Sequence, residues 1–305
     1  MVFLTRFLAA ATIILAAFSP ASAVIIKGGD GSGNATAPED NPGWANVGTV
    51  NGASCVYLGN GWVITASHVG TGQVTFGSAS YDALAGSYTR LYEPSNPLQA
   101  TDLCMFKLQT DPVGLSAVTI TSTALASGSS IDAIGYGMNR ATTETFWDNN
   151  WNVVGSNFFG GYAGYAWVGG NTKRWGTNSI THAWGTSVDD HYGVTDVWET
   201  AFNSSSGDSE MEAATGDSGG GVFYKRGSTW ELTGIMLAIG TFENQPSDTA
   251  VFGDLTYFAD LSVYSGEIAQ TMGAIAVPEP GTLVLLLTGS VVGWFFWRRC
   301  STARP

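Results

Sequence analysis

The segment richest in reactive chemistry is Gly216-Asp217-Ser218-Gly219-Gly220-Gly221, directly ahead of the apolar run Val222-Phe223-Tyr224. Glycines on both sides of a serine permit a tight backbone that exposes the hydroxyl and lets a carbonyl approach closely. An acyl-transfer nucleophile requires that arrangement. The backbone N–H groups of Gly216 and Ser218 would then face the oxyanion of a tetrahedral intermediate, each donor being worth about 3 kcal/mol in comparable sites. On its own the same loop is equally a plain turn.

A serine hydroxyl needs a base to take its proton. His68 stands in Thr65-Ala66-Ser67-His68-Val69, immediately after the apolar run Trp62-Val63-Ile64, so a rigid strand end would hold it within hydrogen-bond reach. The chain has 3 histidines in all. The other two, His182 and His191, lie in a polar stretch and make, with Asp189 and Asp190, a poor metal-ligand set. A third group, a carboxylate, would fix the imidazole tautomer. Asp102 in Thr101-Asp102-Leu103-Cys104-Met105-Phe106-Lys107-Leu108 precedes an apolar strand, where a histidine partner would offset the cost of burying its charge. The alternative for Asp102 is a turn former at a strand entry.

The elements that must position these groups read as strands. Glycine is abundant, Thr, Val, Ile, Tyr and Trp recur in short runs, and apolar residues at helical spacing are scarce. Cys55-Val56-Tyr57-Leu58 and Trp62-Val63-Ile64-Thr65 flank Gly59-Asn60-Gly61, an Asn-Gly hairpin signal. Residues 103–108, 131–135, 221–224 and 230–239 supply further strands. Residues 139–207 are dense in Asn, Gly and Trp and read as hairpins and loops with partly buried indoles, or as a binding surface for carbohydrate or peptide.

Together the three reactive segments resemble the trypsin-like serine proteases. Thr-Ala-Ser-His matches that family's histidine block, Thr-Asp-Leu-Cys-Met-Phe-Lys-Leu its aspartate block and Gly-Asp-Ser-Gly-Gly its serine block, in the family's order. The resemblance implies an all-β fold of two antiparallel β-barrels with the active site in the cleft between them. It also implies a catalytic triad of His68, Asp102 and Ser218, an oxyanion hole of Gly216 and Ser218, and no cofactor or metal. There are departures. Val69 stands where the family has a cysteine, so the bridge beside the histidine is absent. Ile26-Lys27-Gly28-Gly29 resembles the start of chains activated by cleavage, whose new amine pairs with the aspartate before the serine, here Asp217. Glu212, six positions before Ser218, falls at the family's specificity-pocket floor and would favour Lys or Arg. Leu237 and Ile239 fall on the pocket wall and would favour small residues.

Both ends carry address signals. Residues 1–23 have a lone Arg6, an apolar middle and Ala21-Ser22-Ala23, as in a secretory signal, which puts the mature start near Val24, two residues ahead of Ile26. Val277-Pro278-Glu279-Pro280, an apolar run and Arg298-Arg299 resemble the PEP-CTERM sorting tail of bacterial envelope proteins. The expected organisation is a signal peptide (1–23), a protease domain (24–276; barrel one about 24–125, barrel two about 126–270) and a sorting tail (277–305) with a membrane segment at 281–297. The tail implies an exosortase-type partner, attachment to the membrane that its removal would end, and export to the envelope or matrix of a Gram-negative bacterium. With 12 Lys+Arg against 25 Asp+Glu the formal net charge is −13, and both ends together take away more arginine than acid. Nucleic-acid binding is excluded on that balance. The expected activity is a secreted serine endopeptidase acting on protein or peptide substrates. The rivals are a catalytically silent binding module of the envelope or exopolysaccharide matrix, and an esterase using the same triad.

Overall fold

The computed structural model describes residues 24–156, 159–189 and 191–273. The signal segment and the sorting tail, including 281–297, lie outside these residues. Among the described residues no helix is long and apolar enough to cross a membrane.

Residues 47–107 form a seven-stranded antiparallel sheet in the order Ala79–Tyr81, Val74–Phe76, Val47–Val50, Ala53–Gly59, Trp62–Ala66, Asn96–Lys107, Thr89–Glu93. Trp62–Ala66 is buried on both faces, which is why Trp-Val-Ile-Thr-Ala reads as a continuous apolar run. The expected hairpin before it forms, with Asn60 at φ 52° and Gly61 at φ 79°, the pair of positive angles that an Asn-Gly turn supplies at low cost. A bridge from Ala83 to Leu108 joins the chain beyond one edge to the end of the long strand and curls the sheet around Cys55, Tyr57, Val63, Val74, Phe76 and Phe106.

The second sheet runs Gly221–Arg226, Ser130–Gly135, Arg174–Asp189, Val194–Ala201, Leu255–Asp260, Thr229–Gly240. Gly221–Arg226 also pairs with Thr229–Gly240, so these six strands close into a barrel. Thr119–Ile120 adds in parallel to Thr229–Gly240, so the connection between the halves already belongs to the second sheet. Trp198 and Phe258 stack at 4.4 Å in this barrel's core, each contributing about 2–3 kcal/mol by leaving water. The fold is thus all-β, with two antiparallel barrels, as expected.

Residues 139–207 are more regular than the sequence suggested. Arg174–Asp189 and Val194–Ala201 are long barrel strands, and Met138–Arg140, Tyr162–Asn171, Thr145–Trp147, Val153–Val154 and Thr249–Val251 make a separate small sheet. Chain contacts divide the molecule after Tyr264. The helix Leu261–Gly273 begins in the first unit, where Leu261 and Tyr264 are buried. Cys55 and Cys104 are buried free thiols, and burial pushes Cys104 up to about 12.

Candidate active site

His68 lies in the turn that ends Trp62–Ala66, closed by Val69 N–H to Ala66 O at 3.1 Å. Two bonds to one carboxylate hold it. Its backbone N–H donates to Asp102 Oδ1 at 2.8 Å, and its Nδ1 meets Oδ2 at 2.6 Å. Asp102 is fully buried inside the strand Asn96–Lys107, and its own N–H donates to Thr195 Oγ1 at 2.8 Å. A buried carboxylate facing Nδ1 favours the tautomer with the proton there, leaving Nε2 as the acceptor.

Ser218 and His68 line one cleft of about 550 Å³. The loop carrying the serine is built backbone to backbone. Asp217 N–H donates to Ala214 O at 2.9 Å, Gly220 N–H to Asp217 O at 2.8 Å and Gly219 N–H to Met236 O at 2.8 Å. The N–H groups of Gly216 and Ser218, by contrast, are engaged by no other described residue, and Gly216 lines the cleft beside Ser218. Two glycines are required here. Gly216 sits at φ 98°, and a Cβ on Gly219 would stand 2.1 Å from both Ser54 O and Thr65 Oγ1.

Ser54, which the sequence did not mark, fastens this loop to the first barrel. Its N–H donates to Ser218 O at 3.0 Å and its hydroxyl to Gly216 O at 2.9 Å, while Thr65 Oγ1 donates to Ser54 O at 2.7 Å. The strand bearing the histidine and the loop bearing the serine therefore share one anchor. Thr195 and Arg140 were likewise not marked.

Asp217 is fully buried, and Oδ2 accepts Ala214 N–H at 2.8 Å and Val24 N–H at 3.2 Å. Burial pushes its carboxyl up to about 7, against the lowering effect of those N–H groups and that of Gly137. The segment after Val24 is clamped. Arg140 donates Nε to Ile26 O at 2.7 Å and Nη2 to the carbonyls of Lys27, Gly28 and Gly29 at 3.1, 2.9 and 3.0 Å. Tyr165 lies under that guanidinium at 3.8 Å and donates its hydroxyl to Lys27 O. Ile25–Ile26 also pairs with Met211–Glu212.

Leu237 and Ile239 line the cleft, together with Ala213, Ala214 and Thr215. Glu212 does not, which corrects its expected place at a charged pocket floor. Its pairing with Ile25 places it in fully buried surroundings beside Asp254, and burial, with the neighbouring carboxylate, holds its carboxyl well above the usual range. It therefore brings no exposed carboxylate to the cleft. His182 and His191 lie on the hairpin of Arg174–Asp189 and Val194–Ala201, outside the cleft lining.

Comparison with protein families matches residues 31–261 to the family described as Trypsin, and residues 276–299 to the PEP-CTERM protein-sorting motif. No curated protein matches. Among solved structures the chain is similar to mouse neuropsin, a serine protease expressed in the limbic system of the brain (17% identity, 77% of this chain and 96% of that one, TM-score 0.47). It is also similar to kallikrein-related peptidase 10 in complex with Zn2+ (15% identity, 78% and 100%, TM-score 0.47). A third is an inactive serine-to-alanine mutant of Rv3671c from M. tuberculosis (14% identity, 80% and 94%, TM-score 0.45).

Proposed function

Because the chain belongs to the trypsin family, we propose that it is an exported serine endopeptidase that cleaves peptide bonds through an acyl-enzyme at Ser218. The observation that carries this reading is the 2.6 Å contact of His68 Nδ1 with the buried Asp102, at a cleft that His68 and Ser218 both line. Ser218 Oγ attacks the scissile carbonyl while His68 Nε2 takes its proton. The oxyanion is received by the N–H groups of Gly216 and Ser218. Collapse breaks the C–N bond, and His68 returns the proton to the leaving amine. Water then attacks the ester by the same route, releasing the acid and restoring Ser218.

The residue bearing the scissile carbonyl enters a slot between Ala213–Thr215 and Leu237–Ile239. Leu237 and Ile239 narrow that slot with branched apolar side chains, and Glu212 is buried outside its lining, so the slot suits small uncharged side chains. Export and activation then share one event. Cleavage after Ala23 turns the Val24 amide into an ammonium already positioned at Asp217, with no further trimming to Ile26. The PEP-CTERM motif marks the chain for envelope sorting and for processing by an exosortase-type enzyme.

The test is labelling and turnover. Protein exported and processed by a Gram-negative host should react with a fluorophosphonate and cleave casein, and Ser218→Ala should lose both by on the order of 10⁶-fold. A folded wild-type protein that neither labels nor cleaves would sink the reading.

A further inference from the structure

Beyond the cleft lining, one aromatic side chain stands against the catalytic imidazole. The Tyr192 ring lies 5.4 Å from the His68 ring, centroid to centroid, tilted by 48°, and is 52% exposed. It comes from the second barrel, at the tip between Arg174–Asp189 and Val194–Ala201, while His68 belongs to the first.

The tip is fixed by the strand that carries Asp102. Arg90 Nη2 donates to Tyr192 O and also, at 2.8 Å, to Thr101 O. Gly193 sits so tightly on that strand that a Cβ would meet Ala100 O at 2.2 Å. Thr195 Oγ1 accepts the Asp102 N–H. A guanidinium, a glycine contact and a buried hydroxyl thus seat the backbone on both sides of Tyr192, although the exposed ring lies outside the barrel cores. A side chain so held beside a reactive base has a defined place relative to substrate.

Building on the endopeptidase reading above, we infer that Tyr192 is a specificity-determining residue. Its ring walls the position that receives the substrate residue immediately before the scissile one and admits small apolar side chains there. Side chains of an extended peptide alternate between faces. If the scissile residue's side chain enters the slot between Ala213–Thr215 and Leu237–Ile239, the residue before it points the opposite way, toward the imidazole and Tyr192. The leaving side of the substrate instead passes Val69 and Asn51–Ala53, which line the cleft next to His68. A small apolar group packs on the ring face, whereas a long or branched one collides with a tyrosine whose backbone cannot retreat.

The test compares wild-type protein with Tyr192→Ala and Tyr192→Phe on a peptide library varied at two positions on each side of the scissile bond. Fluorophosphonate labelling of the wild type checks the nucleophile separately, so an inert wild type would count against the endopeptidase reading and not against the role of the ring. Wild type and Tyr192→Phe should prefer Ala over Leu before the scissile residue by about tenfold in kcat/KM. Tyr192→Ala should erase that ratio, with preferences at the other three positions unchanged. A uniform loss on all peptides would mean that Tyr192 merely supports His68. An unchanged ratio, or a change confined to the leaving side, would overturn the assignment as well.

Discussion

Val24 N–H meets Asp217 Oδ2 at 3.2 Å, so the residue after the expected signal cleavage touches the residue before Ser218, the proposed nucleophile. Both are fully buried. A neutral amide is a weak partner for a buried carboxylate, and an ammonium is a strong one.

Starting the chain at Val24 should therefore change its pH dependence. With a residue still ahead of Val24, Asp217 has a carboxyl near 7 against 3.8 unfolded, so the unfolded chain gives up its proton first. Stability then falls as pH rises from about 4 to about 7 and levels off above. With a free ammonium that fall disappears, and a new one begins only above pH ~8, where an α-amine discharges. Melting curves from pH 4 to 9 on chains beginning at Ala23 and at Val24 should separate between pH 5 and 7, with fluorophosphonate labelling faster for the shorter chain. Coincident curves would show that the amine does not reach Asp217.

Arg140 should matter to the site although it never touches it. Its guanidinium satisfies four carbonyls between Ile26 and Gly29, a fork that a single ammonium cannot copy. Arg140→Met should cost about 3 kcal/mol. Labelling well below the melting temperature should fall further than the loss of folded protein explains, because Val24 is released from Asp217. Arg140→Lys should recover only part of either. An Arg140→Met protein that labels at the wild-type rate would separate the clamp from the site.

The sequence marked His68, Asp102 and Ser218 because each sits in a short run that few demands other than the proposed chemistry would produce, and the structure brings His68 onto Asp102 and lines one cleft with His68 and Ser218. The Asn60-Gly61 hairpin was legible for the same reason, its positive angles leaving little choice of residue. What escaped acts over long sequence separations. Ser54 joins Ser218 from 164 positions away, Thr195 meets Asp102 from 93, and neither context differs from an ordinary strand. Glu212 misled because spacing from Ser218 gives a position along the loop and says nothing of the direction in which pairing with Ile25 turns the side chain. The closing helix carries Leu261, Tyr264 and Ile268 at helical spacing, but Ser262, Ser265 and Gly266 among them are weak helix formers that mask the pattern.

Glu212→Gln should stabilise the protein as pH rises. The native carboxyl holds its proton well above 4.5, the ordinary value that the unfolded chain shows, so folding loses free energy as pH climbs past that value. Glutamine keeps the shape with no proton to lose. The melting temperature of Glu212→Gln should match wild type near pH 4 and exceed it by a growing margin toward pH 7. Its preference at the scissile residue should stay the same, because the residue lies outside the cleft. A shift away from Lys or Arg peptides would instead restore Glu212 to the pocket floor.

Ile239→Gly should open the slot. Removing a branched side chain from the wall that also bears Leu237 leaves room for a larger scissile residue. The ratio of kcat/KM for Phe over Ala at that residue should rise about 10- to 100-fold. An unchanged ratio would place the scissile side chain elsewhere in the cleft.

Asp102→Asn isolates the tautomer. The two contacts of Asp102 are different in kind: Oδ1 accepts the backbone N–H of His68, which can only donate, whereas Oδ2 faces a ring nitrogen that can do either. An amide in this place must therefore turn its oxygen to the backbone N–H and its NH₂ to Nδ1. That forces the lone pair onto Nδ1 and the proton onto Nε2, where a base is needed. The variant should fold, keep its melting temperature within a few degrees and lose on the order of 10⁴ in kcat on peptides. Asp102→Ala leaves the ring free to choose its tautomer, so it should lose less per molecule folded while costing more stability, since the His68 N–H and Nδ1 then have no buried acceptor. If Asp102→Asn kept near-normal turnover, the 2.6 Å contact would be structural and the base would have to be sought elsewhere.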